Sequence, residues 1–219
     1  MIQLENIEKE YKGNGISTKA LNGVSLKIED GEMVSIVGPS GSGKTTLLNI
    51  IGCMDNVTSG KYVCNDTEVS ALKNSEVEKF RKGNISFVFQ QFALLNDYTV
   101  YENVELPLRV KNISRKERKK MVREVLAKFK IAELEKKYPT QISGGQQQRC
   151  AIARAVVAGG NIILADEPTG ALDGATGQEI MDILKELNRE GKTVIIVTHD
   201  MGIAGQTMRM IHIGDGKIQ

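Results

Sequence analysis

Along this chain the hydrophobic positions change period. Ile2 and Leu4, then Val24, Leu26 and Ile28, alternate with polar residues, the period-2 pattern of strands with one face in water. Later runs are short and nearly continuous: Met33 to Val37, Ile85 to Phe89, Ile162 to Ala165 and Thr193 to Val197. Such runs predict parallel strands covered on both faces. Helix-start signals stand between them. Ser75-x-x-Glu78, Thr99-x-x-Glu102, Ser114-x-x-Glu117 and Thr176-x-x-Glu179 each fit the reciprocal capping pattern. The alternation predicts an α/β fold with a mostly parallel sheet. The first sixty residues look antiparallel, and residues 92–158 read as an inserted helical subdomain. No internal repeat is present.

Composition narrows the function classes. The chain has 219 residues, enough for one domain with an insertion, and 41% hydrophobic against 26% charged residues is a globular balance. A net charge of +2 does not point to nucleic acid or anionic lipid as the main partner. Cys53, Cys64 and Cys150 lie far apart, with only His199 and His212 to supplement them, so reduced, buried thiols are expected rather than a metal site. The start, Met1 to Asn6, has no basic and apolar signal pattern. Runs such as Ile162-Ile163-Leu164-Ala165 are far shorter than the ~20 apolar residues of a membrane span. Residues 111–137 hold eleven Lys or Arg and four Glu, so they carry +7. Met121, Val122, Val125, Leu126 and Phe129 share one helical face there, which predicts an amphipathic helix with a solvated basic face.

The first chemical signal is Gly38-Pro39-Ser40-Gly41-Ser42-Gly43-Lys44-Thr45, which fits G-x-x-x-x-G-K-[ST] between a strand and a helix. Its glycines let successive amides, including that of Thr46, point inward at a polyphosphate. Lys44 can reach the outer phosphates and Thr45 can ligate Mg²⁺. The glycine order does not fit the dinucleotide pattern G-x-G-x-x-G. A second signal closes the run Ile162 to Ala165: Asp166, suited to the metal shell, then Glu167, suited to polarising an attacking water.

With these in place, Ile142-Ser143-Gly144-Gly145-Gln146-Gln147-Gln148-Arg149, 23 residues before Asp166 when counted from Ser143, resembles the signature motif of ATP-binding cassette (ABC) ATPases. Ser143-x-x-Gln146 also reads as a capping box, and capping and phosphate binding use the same free amides. Further residues match in family order. Tyr11 resembles the aromatic residue that stacks on adenine. Gln90 resembles the glutamine at the junction with the helical arm that senses Mg²⁺ and the nucleophilic water; Gln91 is the neighbouring candidate, and the position directly after the strand favours Gln90. Ala171-Leu172-Asp173 resembles the loop that crosses to a partner subunit, and His199 the histidine that contacts the γ-phosphate.

The resemblance implies an α/β P-loop NTPase (RecA-like) core with an N-terminal antiparallel β subdomain. Core residues would be 1–91 and 159–219, and 92–158 the helical subdomain with the signature. It implies ATP and Mg²⁺ as cofactors. It also implies a head-to-tail homodimer in which each ATP lies between Lys44, Thr45, Asp166, Glu167, Gln90 and His199 of one subunit and Ser143 and Gly145 of the other. The run Gln90 to Leu108 resembles the branch serving macrolide export, lipoprotein release and antimicrobial-peptide resistance. In that branch a separate transmembrane permease is the partner, which implies a cytoplasmic chain, peripheral on the inner face of the membrane, without nucleic acid. The alternatives are an ATP-gated switch of the cell-division type and a soluble ABC ATPase. Only 98 residues separate Lys44 from Ser143, too few for the coiled coil of DNA-repair members.

Overall fold

The N-terminal residues form two long antiparallel strands, β1 (Ile2–Gly13) and β2 (Ile16–Ile28). The computed structural model describes residues 1–13, 16–111 and 113–219. In chain order there follow β3 (Met33–Val37), α1 (Lys44–Ile51), β4 (Ser59–Cys64), β5 (Thr67–Glu68), α2 (Asn74–Asn84) and β6 (Ile85–Val88). Next come α3 (Val100–Arg109), α4 (Arg115–Lys128), α5 (Gly144–Val157), β7 (Ile162–Asp166) and α6 (Gly174–Arg189). The chain closes with β8 (Thr193–Val197), α7 (Met201–Ala204), β9 (Arg209–Gly214) and β10 (Lys217–Ile218).

The described strands make two sheets. One has the order β2-β1-β4-β5 and is antiparallel throughout. The other has the order β10-β9-β3-β8-β7-β6 and is parallel except for the β9–β10 pair. Within the mostly antiparallel first sixty residues, β3 joins the parallel sheet, as its continuous apolar run predicts. The reason lies in its burial: all five residues are covered, so it needs partners on both faces.

The period of two divides the parallel strands between two cores. Ile162, Leu164, Ile195 and Val197 face the core shared with α1 and the antiparallel sheet. Ile163, Ala165, Val194 and Ile196 face the core formed with α3 to α6. In that second core lie Val100, Val104 and Leu108 of α3 and Val122 and Leu126 of α4, with Phe129 just beyond it. The basic face of α4 is exposed, as its pattern predicts.

Caps explain where the helices begin. Thr99 Oγ1 accepts from Glu102 N at 3.2 Å, and Glu102 Oε2 accepts from Thr99 N at 2.8 Å, so the expected box starts α3. Ser114 Oγ accepts from Glu117 N at the start of α4. Two expected caps are corrected. Helix α2 starts earlier, where Glu76 accepts from Lys73 N, so Ser75 lies inside its first turn. Helix α6 is capped by Asp173, which accepts from Thr176 N at 3.0 Å and from its hydroxyl at 2.7 Å. A carboxylate upstream is the better acceptor at a helix N-terminus, so Thr176 becomes a donor inside the first turn.

All three cysteines are free and buried. Burial pushes the Cys53 and Cys150 thiols up to about 12, so both stay protonated at neutral pH. No helix of the described residues is long and apolar enough to cross a membrane.

Candidate functional site

Four neighbouring strands of the parallel sheet, β3, β8, β7 and β6, end on the same edge. In open α/β sheets the carboxyl ends of the strands are where ligands bind. The loops that leave these strands line one cleft of about 470 Å³. Ser40, Gly41, Gly43, Lys44, Thr45 and Thr46 enter it after β3, Gln90 after β6, Asp166 and Glu167 at the end of β7, and His199 after β8. Thr18, Lys19 and Ala20 of β2 also line it.

The loop after β3 is shaped by backbone. Gly41 (φ +77°) and Gly43 (φ +103°) are left-handed. A Cβ on Gly43 would sit 2.6 Å from the Ala20 carbonyl oxygen, and one on Gly38 would run into the Ile213 carbonyl. Close backbone approach and positive φ both require glycine here. Gly43 supplies no side-chain cap to α1. The first helical bond is Leu47 N to Gly43 O, so the amides of Gly43, Lys44, Thr45 and Thr46 have no acceptor among the described residues. Four amides thus converge at a positive helix end, an anion site by construction. The Lys44 ammonium lies across the loop, donating to the Gly38 and Pro39 carbonyls at 2.7 and 2.8 Å. The Ser42 side chain is buried outside the cleft lining, and its hydroxyl has no partner among the described residues.

The acidic side is held from two strands. Glu167 has φ +47°, and its amide donates to Val197 O at 2.9 Å. Its Oε1 accepts from His199 N at 3.1 Å and lies 2.6 Å from His199 Nδ1, while Oε2 accepts from the Thr198 hydroxyl at 3.2 Å. Burial pushes the Asp166 carboxyl up, the Glu167 charge pushes it further, and Lys44 partly offsets both. Two adjacent carboxylates facing one ammonium make a place where added positive charge is favourable.

Gln90 lines the cleft and Gln91 does not. Tyr11 stands outside the lining. Its hydroxyl donates to Asp55 Oδ2 at 2.7 Å, the Lys9 ammonium lies 4.9 Å from its ring centre, and the ring is left exposed. Ser143, Gly144, Gly145 and Gln146 are also outside the cleft, at the N-terminus of α5. Their capping box is formed: Ser143 Oγ accepts from Gln146 N, and Gln146 Oε1 accepts from Ser143 N at 2.9 Å. Asp173 is occupied as the cap of α6.

Three residues that sequence reasoning passed over hold these loops. Asn103 is fully buried; its Oδ1 accepts from Leu95 N, and its Nδ2 donates to the carbonyls of Leu95, Tyr98 and Thr99. Gln148 is buried, and its amide donates to Pro168 O at 2.6 Å, one residue past Glu167. Arg154 donates to the carbonyls of Ala93 and Phe92 at 2.6 and 3.0 Å. Each is a polar residue on an apolar helical face, the one signal that could have found them. On the other side of the segment after Gln90 lies a mostly apolar groove of about 630 Å³, lined by Phe87, Phe89, Ala93, Leu106, Pro107 and Val110 among others.

Comparison with known proteins places the geometry in a family. Residues 21–170 match the family profile described as ABC transporter. The chain is 50% identical to the uncharacterized ABC transporter ATP-binding protein MJ0796 of Methanocaldococcus jannaschii, covering 100% of this chain and 95% of that one. It is 45% identical to a macrolide export ATP-binding/permease protein MacB of Yersinia pestis, covering 100% of this chain but only 32% of that protein's length. Among solved structures it superposes with a TM-score of 0.92 and 46% identity on a dimeric post-hydrolysis state of the cassette MJ0796 bound to ADP and Pi. That match covers 100% of this chain and 97% of the other. With its strand-end cleft, phosphate-binding loop and helix-capping signature, the chain belongs to the ABC transporter family.

Proposed function

We propose that this chain is the ATP-binding and ATP-hydrolysing subunit of a transporter, that two copies clamp two ATP, and that closing and opening of the pair drives a separate membrane permease. The observation that carries this reading is the separation of the signature from the cleft. Lys44, Thr45, Gln90, Asp166, Glu167 and His199 line the cleft, while Ser143 to Gln146 cap α5 outside it. A head-to-tail pair brings the signature of one copy over the cleft of the other, in a two-fold arrangement that completes both sites.

The residues present fit a nucleoside triphosphate. The unbonded amides of Gly43 to Thr46 receive phosphate oxygens, and Lys44 trades its two carbonyls for the β- and γ-phosphates. They also fit magnesium. Thr45, Gln90 and Asp166 offer a hydroxyl, an amide oxygen and one carboxylate, the hard oxygen set this ion takes when phosphates complete its shell. Magnesium supplies the positive charge that neutralises the transferring phosphoryl group. Glu167 polarises the attacking water, held in orientation by the His199 amide and the Thr198 hydroxyl, and His199 turns its ring to the γ-phosphate. The Ser143 hydroxyl and the Gly145 amide of the second copy grip that phosphate. Its loss removes contacts made only in the closed pair, so hydrolysis shifts the population toward the open one.

Residues 92–158 form the arm that swings, and the apolar groove beside the segment after Gln90 receives a cytoplasmic helix of the permease. The permease holds the chain on the inner face of the membrane. Similarity to the MacB proteins supports the branch that serves export or lipoprotein release; the cargo is chosen by the membrane partner. The deciding variant is Glu167→Gln. It should bind ATP normally, lose turnover by at least about a hundredfold, and accumulate as an ATP-bound dimer in size-exclusion chromatography. Unchanged turnover would remove Glu167 from the chemistry, and a monomer under saturating ATP would remove the clamp.

A further inference from the structure

The segment between the groove and the cleft is held in a shape its own residues resist. Phe92 (φ +59°) and Ala93 (φ +49°) are consecutive left-handed residues, a conformation that a Cβ disfavours. The outer end of this segment is pinned at Leu95 by Asn103. The inner end is pinned only two residues after Gln90, where Arg154 Nη1 and Nη2 reach the carbonyls of Ala93 and Phe92 at 2.6 and 3.0 Å. A guanidinium is a rigid planar fork, so two bonds from it fix how two successive carbonyls face each other more tightly than the freely rotating donors of an ammonium do. Arg154 and Ala93 both border the groove, and Gln90 borders the cleft. On the same helix, Gln148 holds Pro168 next to Glu167. Helix α5 thus grips the loops of both Gln90 and Glu167.

We propose that Arg154 is a positioning residue that carries displacement of the groove to Gln90, by locking Phe92 and Ala93 in the left-handed turn on which the place of Gln90 depends. The inference rests on the hydrolytic reading above, and Arg154 makes no hydrogen bond to a cleft-lining residue among those described.

The test compares Arg154→Ala, Arg154→Lys and each of these combined with Ala93→Gly, in steady-state ATP hydrolysis and in amide hydrogen exchange. Arg154→Ala should lower kcat at least about tenfold while the KM for ATP stays within about twofold, because the phosphate-binding loop is untouched. Exchange of the amides from Gln90 to Leu95 should speed up at least about tenfold. Arg154→Lys should fall between, since its charge remains but the fork does not. Glycine takes positive φ without a Cβ penalty, so Ala93→Gly should restore kcat to within about threefold in either background. A merely structural loss would move thermal stability and would not be relieved by glycine. Should Arg154→Ala fail to fold, the Arg154→Lys pair gives the same decision. Normal kcat in both variants, or a loss that Ala93→Gly leaves in place, overturns the inference. If the unmodified chain shows no ATP turnover, the hydrolytic reading falls instead, and the exchange comparison still decides whether Arg154 holds the loop.

Discussion

Glu105 shows how one charge is made to fit the second core. It is buried on α3, between Arg109 at 2.9 Å and Arg118 at 3.1 Å. Burial acts to raise its carboxyl, but the hydrogen bonds from the two arginines outweigh it and hold the group below its ordinary 4.5. The sign of the pH dependence follows. A lowered folded value means that the unfolded chain binds the proton first, so the contribution is full above about pH 4.5 and fades as pH falls through the folded value. The stability difference between the unmodified chain and Glu105→Gln, from urea titrations between pH 7 and pH 3, should therefore shrink on acidification. A difference that widened in acid would mean that the arginines are not what favours this carboxylate. Glu167 is also held through both of its oxygens. They are already engaged by His199 and Thr198, so its orientation precedes any ligand.

Among the elements, α5 and α6 meet at Gly145. A Cβ at that position would run into Thr176 Cγ2, and Thr176 cannot simply turn away because its hydroxyl is bonded to the Asp173 carboxylate at 2.7 Å. Gly145→Ala should destabilise the chain by about 1–3 kcal/mol, which is roughly 2–12 °C in melting temperature at this size. Thr176→Ser deletes the methyl and keeps the hydroxyl, so adding it should recover most of that loss in thermal melts. No recovery would place the tightness elsewhere. Contacts of this kind also mark the limit of what the linear chain reveals. The doubly covered strands, the loop from Gly38 to Thr45 and the pair Asp166-Glu167 are consecutive residues, and period or spacing alone exposes them. The caps at Thr99, Ser114 and Ser143 are equally local. The Asp173 cap displaced the expected one because an upstream carboxylate competes for the same amides. The grips of Arg154, Gln148 and Asn103 depend on which carbonyl the fold brings near, and no local pattern encodes that.

At the scale of the whole molecule, the proposed function makes the exposed Ser143 and the cleft two halves of one site, which a single copy keeps apart. ATP turnover per subunit should fall as the protein is diluted, because the competent species is a pair. Ser143→Arg should bind a fluorescent ATP analogue as the unmodified chain does, yet stay monomeric in analytical ultracentrifugation with ATP present. Undiminished specific activity at high dilution would contradict the shared site. The row of strand ends has a longer consequence. Gly38, Thr198, Asp166 and the segment leading to Gln90 issue from four adjacent strands, whose spacing of about 4.8 Å is set by main-chain hydrogen bonds. Side-chain replacement on the outer helices can tilt that row but cannot reorder it. The order in which the phosphate loop, His199, Asp166 and Gln90 meet the cleft is therefore written into the backbone, whatever the outer helices come to dock against.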